Sequence, residues 1–186
     1  MSSIKFLDSG WFHDFATPLR FKDIVTVFSK PPLAPWIKVN SDGLVTWLHS
    51  ASGGIFKAIS YFFARILGFF FSVFKSEIHG FMLVMEHAMQ NGWWNVWLEN
   101  NFTSALTAFK YVDIVPIRLQ NPWHNCLQSG LQVVSPRIFR EGNRCADKLA
   151  NHGHVIQGSM WSISLLVFIK DDFFRDLYDF PTLCFP

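Results

Sequence analysis

The sequence is poor in cysteine and has no apolar run at its start. Three of its 186 residues are cysteines, and no two of them form a C-x-x-C pair. An odd number without such a pair argues against a disulfide framework and against a zinc site, and it favours a reducing compartment. The first ten residues, M-S-S-I-K-F-L-D-S-G, lack the continuous apolar segment of a secretory signal. We therefore expect an intracellular protein, in the cytoplasm or nucleus, that is not secreted.

Charge of either sign is also scarce. Sixteen basic residues stand against fourteen acidic ones, which gives a formal net charge of +2. A balance so close to neutral permits contact with nucleic acid but does not require it. The length is that of one domain with short terminal extensions, and it suffices to bury a sizeable core.

Aromatic residues, by contrast, are abundant, with 21 Phe and 8 Trp. The most apolar stretch, residues 55–74, approaches the ~20 residues that span a bilayer. Lys57 and Arg65 lie inside it, and each charge costs about 2.5 to 3.5 kcal/mol near the centre of a membrane helix. Ser60 and Gly68 divide the stretch, which favours two strands joined by a turn. A membrane or aggregation-prone protein remains the alternative that this stretch supports.

The first half of the domain has the pattern of an antiparallel meander. Apolar and polar residues alternate from Trp36 to Asn40, and the turn residues Ser41-Asp42-Gly43 follow. Further strands are expected at 53–56 and 68–74. Ser76 has the side chain of an N-cap, which would place Glu77 in the first turn of a helix.

The second half alternates between strands and helices. The first helix carries a methionine-rich core stripe and ends at Asn91-Gly92. The order predicts an α/β fold with a five-stranded mixed sheet, its three antiparallel strands first, flanked by helices. We expect an N-terminal extension at 1–35, the domain at 36–156 and a C-terminal extension at 157–186. The remaining elements are expected at 96–99 (strand), 103–110 (helix), 122–127 (helix), 131–139 (strand) and 144–151 (helix).

Three acidic residues stand at the ends of these elements. Asp42 follows the first strand, Glu77 begins the first helix and Asp147 lies near the start of the last helix. Carboxylates that converge from element ends can hold two divalent cations, and oxygen ligands suit Mg²⁺. Acidic residues at helix starts are also common because of the helix dipole, so both interpretations remain open from the spacing.

Five segments in order resemble a known family. They are W-I-K-V-N-S-D-G, A-S-G-G-I-F, S-E-I-H-G-F-M-L-V-M-E-H-A, V-W-L-E-N-N and F-R-E-G-N-R-C-A-D-K-L-A-N-H-G. Together they resemble the type 1 ribonuclease H-like domains of plants, which are reverse-transcriptase-like domains related to non-LTR retrotransposons. The resemblance runs from about Trp36 to Gly153. It implies an RNase H-like fold and magnesium-dependent hydrolysis of the RNA strand in RNA–DNA hybrids.

The resemblance also implies a set of site residues. The family's carboxylates fall on Asp42, Glu77 and Asp147, which would hold Mg²⁺. The fourth, expected in an E-[ST]-D segment, falls on Asn101. A carboxamide is uncharged and offers one oxygen, so we expect hydrolysis to be weak or absent. Glu99 shares the strand face of Asn101 but lies about 6.6 Å along it, so we expect no substitution by Glu99.

Nucleic-acid binding is the second function that the resemblance implies. Arg140, Arg144 and Lys148 cluster around Asp147 in the sequence and can contact phosphates. Asn40 and Asn101 can hydrogen-bond a sugar hydroxyl or a phosphate. A solvated helix face is the alternative for the basic residues. We expect an RNA–DNA hybrid or another nucleic acid as partner and no membrane, with a non-enzymatic nucleic-acid binder as the alternative function.

Overall fold

The computed structural model describes residues 19–21, 24–27, 34–69, 72–178, 180 and 182–184. Most of the predicted N-terminal extension, residues 1–35, lies outside these ranges. Two short strands, β1 (Leu19–Phe21) and β2 (Ile24–Val27), come first and pair antiparallel with each other.

The predicted antiparallel meander is confirmed. It consists of β3 (Ile37–Val45), β4 (Ser50–Phe56) and β5 (Tyr61–Gly68). Each strand pairs antiparallel with the next. The first strand is longer than predicted, so Asp42 lies within it and pairs with Gly53.

The third strand of the meander was predicted at 68–74, and this is wrong. The chain turns earlier, through a 3-10 helix at Lys57–Ile59 and a left-handed Ser60 with φ of 50°. Gly68, with φ of 101°, ends the strand instead of beginning it. The aromatic run at 61–63 therefore enters the sheet, where Phe62 and Phe63 are buried on opposite faces.

The first helix also begins earlier than predicted. It is α1 (Val73–Gln90), and its N-cap is Ser72, whose side chain accepts a hydrogen bond from Lys75 N at 3.3 Å. Ser76 was expected to be this cap. Because the helix starts four residues sooner, Glu77 lies in its second turn, where it packs against the sheet and is buried.

The remaining elements follow the predicted order with shifted ends. The helix predicted at 103–110 is one α-helical turn followed by a 3-10 turn, and the strand predicted at 131–139 is three residues long. These elements are β6 (Asn95–Glu99), α2 (Thr103–Leu106), α3 (Ile117–Leu127), β7 (Gln132–Val134) and α4 (Arg144–Gly153). Three further elements, which the sequence patterns did not predict, follow them: β8 (Ser159–Ser162), α5 (Lys170–Leu177) and β9 (Thr182–Cys184).

The main sheet is mixed, as predicted, but it has six strands where five were expected. Its order is β7-β6-β3-β4-β5-β8, with β6 parallel to both β3 and β7. The sixth strand, β8, comes from the predicted C-terminal extension. Gly158, with φ of 80°, reverses the chain after α4, and β8 then pairs antiparallel with the outer edge of β5. Such pairing satisfies backbone groups that an edge strand leaves unpaired.

Helices cover both faces of this sheet. The predicted stripe of α1 is confirmed, because Ile78, Met82 and Met85 are buried in the larger core with Phe81. The opposite face of the sheet is covered by α4, and a smaller core there joins Leu149 to residues 169 and 173 near and within α5. A separate three-stranded sheet has the order β1-β2-β9. The candidate site lies between the two helix layers, as described next.

The apolar stretch at 55–74 contributes to β4, β5 and the start of α1 where the structure describes it. No helix in the described ranges combines the length and apolar character needed to cross a bilayer.

Candidate functional site

The site lies where β6 ends and leaves one edge of β3 open. The last residue of β6, Glu99, is in register with Asn40, so no strand pairs with β3 on that side from Ser41 onwards within the described ranges. Two side chains bond the buried Ser41 carbonyl oxygen in place of a strand. Asn100 Nδ2 donates to it at 2.8 Å and Asn143 Nδ2 at 2.9 Å. This carbonyl is therefore the point around which the site is organised.

One group of side chains at this edge carries the acidic chemistry, and we call Asp42, Glu77 and Asn100 the carboxyl group of the site. Glycine at position 43 allows the side chains of Asp42 and Glu77 to meet. A Cβ on Gly43 would lie 2.5 Å from Glu77 N, so only glycine lets α1 approach β3 so closely. The approach brings the side chains of Glu77 and Asp42 into hydrogen-bond contact.

The pKa values of both acids are raised. Burial is the main cause for Asp42, whose pKa rises to about 7, and the charge of Asp147 adds to it. Burial is also the main cause for Glu77, whose pKa rises to about 9, and the charge of Asp42 adds to it. The two acids are coupled, because a charge on Asp42 disfavours the loss of the proton from Glu77. At neutral pH the pair therefore retains at least one proton.

Asn100 completes the carboxyl group, and the sequence did not predict it. Its Nδ2 donates to Glu77 Oε2 at 2.8 Å, and its Oδ1 accepts from Phe102 N at 2.6 Å. The period of a strand was the signal that could have identified it. Val96 and Leu98 face α1, and Asn100 continues that face, whereas Asn101 turns to the other side.

The second group lies on the α4 side of the edge, and we call Asn40, Asn101 and Asn143 the amide group of the site. Asn143 Nδ2 donates to Asn101 Oδ1 at 2.8 Å, and Asn40 Nδ2 donates to Asn143 Oδ1 at 3.2 Å. Asn143 is 1% exposed, and it precedes the first turn of α4. It lies within the R-E-G-N-R-C-A-D segment, but the sequence motifs assigned it no role.

Asp147 lies close to both groups but is bound elsewhere. One of its oxygens is 3.6 Å from Arg140 Nη2, and the other accepts from Asn151 Nδ2 at 3.4 Å. Its charge nevertheless contributes to the raised pKa of Asp42. The structure thus brings Asp42 and Glu77 into contact and Asp147 into their vicinity. Asn101 makes no hydrogen bond to these three carboxyls within the described residues.

Glu99 does not take the place of the missing carboxylate. Its Oε1 is 2.8 Å from Lys38 Nζ and accepts from Trp97 Nε1 at 3.1 Å. These partners hold the Glu99 carboxylate against Lys38 and Trp97, away from the open edge of β3.

The fit of Mg²⁺ to these residues is partial. The oxygens of Asp42 and Glu77 are hard donors of the kind that this ion prefers, and they lie together. Among the described residues, however, no three Asp, Glu, His or Cys side chains are grouped so that they could hold a metal ion. The oxygen of Asn101 is already bonded to Asn143. The residues therefore fit one cation at the carboxyl pair and do not fit a four-carboxylate site for two cations.

The basic residues predicted to bind phosphate lie beside the site, but each is within 4 Å of a carboxylate. Arg140 lies near Asp147, as described above. Lys148 Nζ is 2.6 Å from Asp172 Oδ2 and donates to Phe168 O at 3.1 Å. Arg144 Nη1 is 3.8 Å from Asp172 Oδ1. Asp172 belongs to α5, so this helix partly neutralises the basic face of α4.

Comparison with known proteins identifies the fold. No protein-family model matches the sequence, and no curated protein sequence matches it significantly. RNase H1 from the halophilic archaeon Halobacterium salinarum NRC-1 has a TM-score of 0.56 and 15% identity, covering 64% of this chain and 98% of that one. LC11-RNase H1 in complex with an RNA/DNA hybrid has a TM-score of 0.51 and 15% identity, covering 62% and 94%. The N-terminal RNase H domain of rv2228c from Mycobacterium tuberculosis, solved as a fusion with maltose-binding protein, has a TM-score of 0.50 and 13% identity, covering 63% and 93%.

These similarities show that the chain has the RNase H fold. At 13 to 15% identity they establish the architecture, and the function has to be argued from the site.

Proposed function

We propose that this protein binds RNA–DNA hybrids through its RNase H-like domain and that it hydrolyses them weakly or not at all. The observation that carries the second part is the 2.8 Å hydrogen bond from Asn143 Nδ2 to Asn101 Oδ1. It occupies the only acceptor atom of the side chain that stands where the family resemblance implies a metal-binding carboxylate. The site then keeps three carboxyls, of which two share a proton.

The fold and the basic residues support hybrid binding. One solved structure with this fold contains an RNA/DNA hybrid. Arg140, Arg144 and Lys148 lie on one side of the candidate site and can exchange their internal partners for phosphates. Asn40 lies within the amide group, and its Oδ1 is buried without a partner in the described chain, so it is an acceptor for a sugar hydroxyl only if the site opens.

We propose Mg²⁺ as the ion that this site takes, bound at Asp42 and Glu77 with Asp147 nearby. When bound, such an ion supplies positive charge that stabilises negative charge developing on a phosphodiester. The shared proton has to leave before both carboxylates can bind a cation, which weakens binding at neutral pH.

A cleavage assay on a labelled RNA–DNA hybrid in Mg²⁺ tests the proposal. We expect little or no product with the wild type and at least about tenfold more with Asn101→Asp, because a carboxylate at 101 adds a cation ligand. The double variant Asn101→Asp with Asp147→Asn is the control and should lose the gain. A wild type that cleaves as fast as Asn101→Asp would contradict the proposed impairment.

Binding is measured separately, by fluorescence anisotropy in EDTA over a range of salt concentrations. Phosphate contacts predict that affinity falls steeply as salt rises. Salt-dependent binding with no cleavage by either the wild type or Asn101→Asp would favour the alternative, a non-enzymatic binder. Absence of binding at low salt would refute the proposed function.

We further propose an intracellular location and a retroelement origin. The buried free thiols of Cys126 and Cys145 support the first, and the ordered motifs support the second. Recovery of the expressed protein from the secreted fraction would contradict the location.

A further inference from the structure

The orientation of the Asn101 carboxamide is determined by its neighbours. The Ser41 carbonyl oxygen can only accept, so Asn143 must turn its Nδ2 towards it, at 2.9 Å. The Oδ1 of Asn143 then receives a hydrogen bond from Asn40 at 3.2 Å. The backbone of β3 thereby fixes which end of the Asn143 amide faces each partner.

The orientation of Asn143 in turn determines the orientation of Asn101. The second hydrogen of Asn143 Nδ2 is donated to Asn101 at 2.8 Å, so the atom of Asn101 that faces Asn143 must be Oδ1. The Nδ2 of Asn101 therefore points away from Asn143. Within the described chain it makes no hydrogen bond, and the residue is half-buried beside the start of α4.

We propose that Asn101 is a phosphate-binding residue, which Asn143 positions so that its two N–H donors face the nucleic-acid backbone. The inference rests on the proposed function and deepens it. An amide that turns its donors outward attracts an oxygen with negative charge and is a poorer ligand for a cation than a carboxylate. An asparagine held in this orientation therefore favours an anion at position 101, where the family resemblance implies a cation ligand.

An aspartate at this position would have nearly the same shape as the asparagine but would present an acceptor where the asparagine presents donors. One of its oxygens would accept from Asn143 Nδ2, as Oδ1 of asparagine does. The other would face outward as an acceptor with negative charge. Asn101→Asp should therefore weaken metal-free phosphate binding and strengthen cation binding, and these opposite effects are specific to the proposed orientation.

The test uses the full chain and two measurements that do not depend on catalysis. The first is the affinity for an RNA–DNA hybrid in EDTA, and we expect Asn101→Asp to bind about tenfold more weakly than the wild type. Asn101→Ala should show a smaller loss. Asn125→Asp, the same change at an exposed position of α3, is the matched control and should stay within about twofold. The second is titration with MgCl₂ alone, in which Asn101→Asp should bind about tenfold more tightly than the wild type.

A hybrid whose RNA strand carries 2′-fluoro groups distinguishes phosphate from sugar hydroxyl. A loss that persists with this hybrid supports phosphate binding, and a loss confined to the natural hybrid overturns it. Equal hybrid affinities of Asn101→Asp and Asn125→Asp, with a wild type that binds, would overturn this inference and leave the proposed function standing. A wild type that does not bind the hybrid overturns both.

Discussion

The carboxyl group and the amide group of the site share one anchor, the Ser41 carbonyl oxygen, but they present opposite chemistry. The carboxyl group buries two acids that retain a proton, and with that proton removed it is a cation site. The amide group is built from three asparagines whose hydrogen bonds leave donors at Asn101. The difference shows that the chemistry of a single side chain depends on the partners that orient it. Substitutions and changes of pH can separate the two groups.

We expect the largest effect from a substitution at Gly43, where the close approach of α1 to β3 forms the carboxyl group. Gly43→Ala would place a Cβ 2.5 Å from Glu77 N, which is backbone and cannot move aside alone. We expect a loss of about 4 kcal/mol in the free energy of unfolding, measured by urea denaturation. Gly142→Ala is the control, because a Cβ there meets nothing within 4 Å. A stable Gly43→Ala protein would show that α1 is not held against β3 as described.

The next effect is a pH dependence that belongs to the carboxyl group. The folded-state pKa values of Asp42 and Glu77 lie above their unfolded values, so the folded state binds more protons above about pH 4. The contribution of this pair to stability is therefore complete below the unfolded pKa values and is lost as the pH rises through about 7 to 9. Between pH 5 and pH 8 in EDTA we therefore expect the free energy of unfolding to fall continuously, measured by urea denaturation.

Glu77→Gln serves as the reference for that experiment. Glutamine keeps an oxygen for Asn100 and a donor for Asp42 but cannot ionise, so its stability should vary less between pH 5 and pH 8. An equal pH dependence in Glu77→Gln and wild type would exclude the carboxyl pair as the cause.

A smaller effect should distinguish the members of the amide group. Asn143→Ala removes the donor to Ser41 and Asn101 and the acceptor of Asn40, in surroundings closed to water. We expect a loss of about 2 kcal/mol, measured by thermal unfolding. Asn101→Ala should cost less than about 1 kcal/mol, because Asn101 is half-buried and contributes one acceptor. Equal losses would mean that Asn143 has no special role in positioning.

The smallest effect concerns the basic residues near the amide group. Asp172→Asn removes the carboxylate partner of Lys148 and Arg144, which should raise hybrid affinity about threefold and steepen its salt dependence. Asp171→Asn, an exposed neighbour on α5, makes the same change in net charge and should alter affinity less. If both variants gain equally, net charge and not release of these two residues explains the effect.

Much of the fold could be predicted because local patterns encode it. The alternation at 37–40 and the apolar stripe of α1 identify the elements that form the larger core. The errors arose where two nearby positions carried the same local signal. Ser72 and Ser76 are both suitable caps, and Ser60 and Gly68 are both suitable turn residues. Packing of Tyr61–Gly68 between β4 and β8 decided the second choice, and no local pattern contains it.

The candidate site was predictable to the level of its segments but not of its contacts. The motif resemblance predicted four site residues, which are Asp42, Glu77, Asp147 and Asn101. The side chain that bonds Glu77 is Asn100, one residue earlier and on the opposite face of the strand. A difference of one residue reverses the face, so register decides which asparagine meets which helix.

The sequence by itself determined that this chain forms an α/β domain with this order of elements, since periodicity and turn residues are properties of neighbouring positions. The tertiary structure decided which groups the acids and asparagines of its motifs meet. Asn40 and Asn143 are 103 positions apart, and Asn143 meets Ser41 across 102. Contacts over such separations form only when the sheet and α4 pack together. They fix the direction of the Asn101 amide because a carbonyl oxygen accepts hydrogen bonds and never donates them.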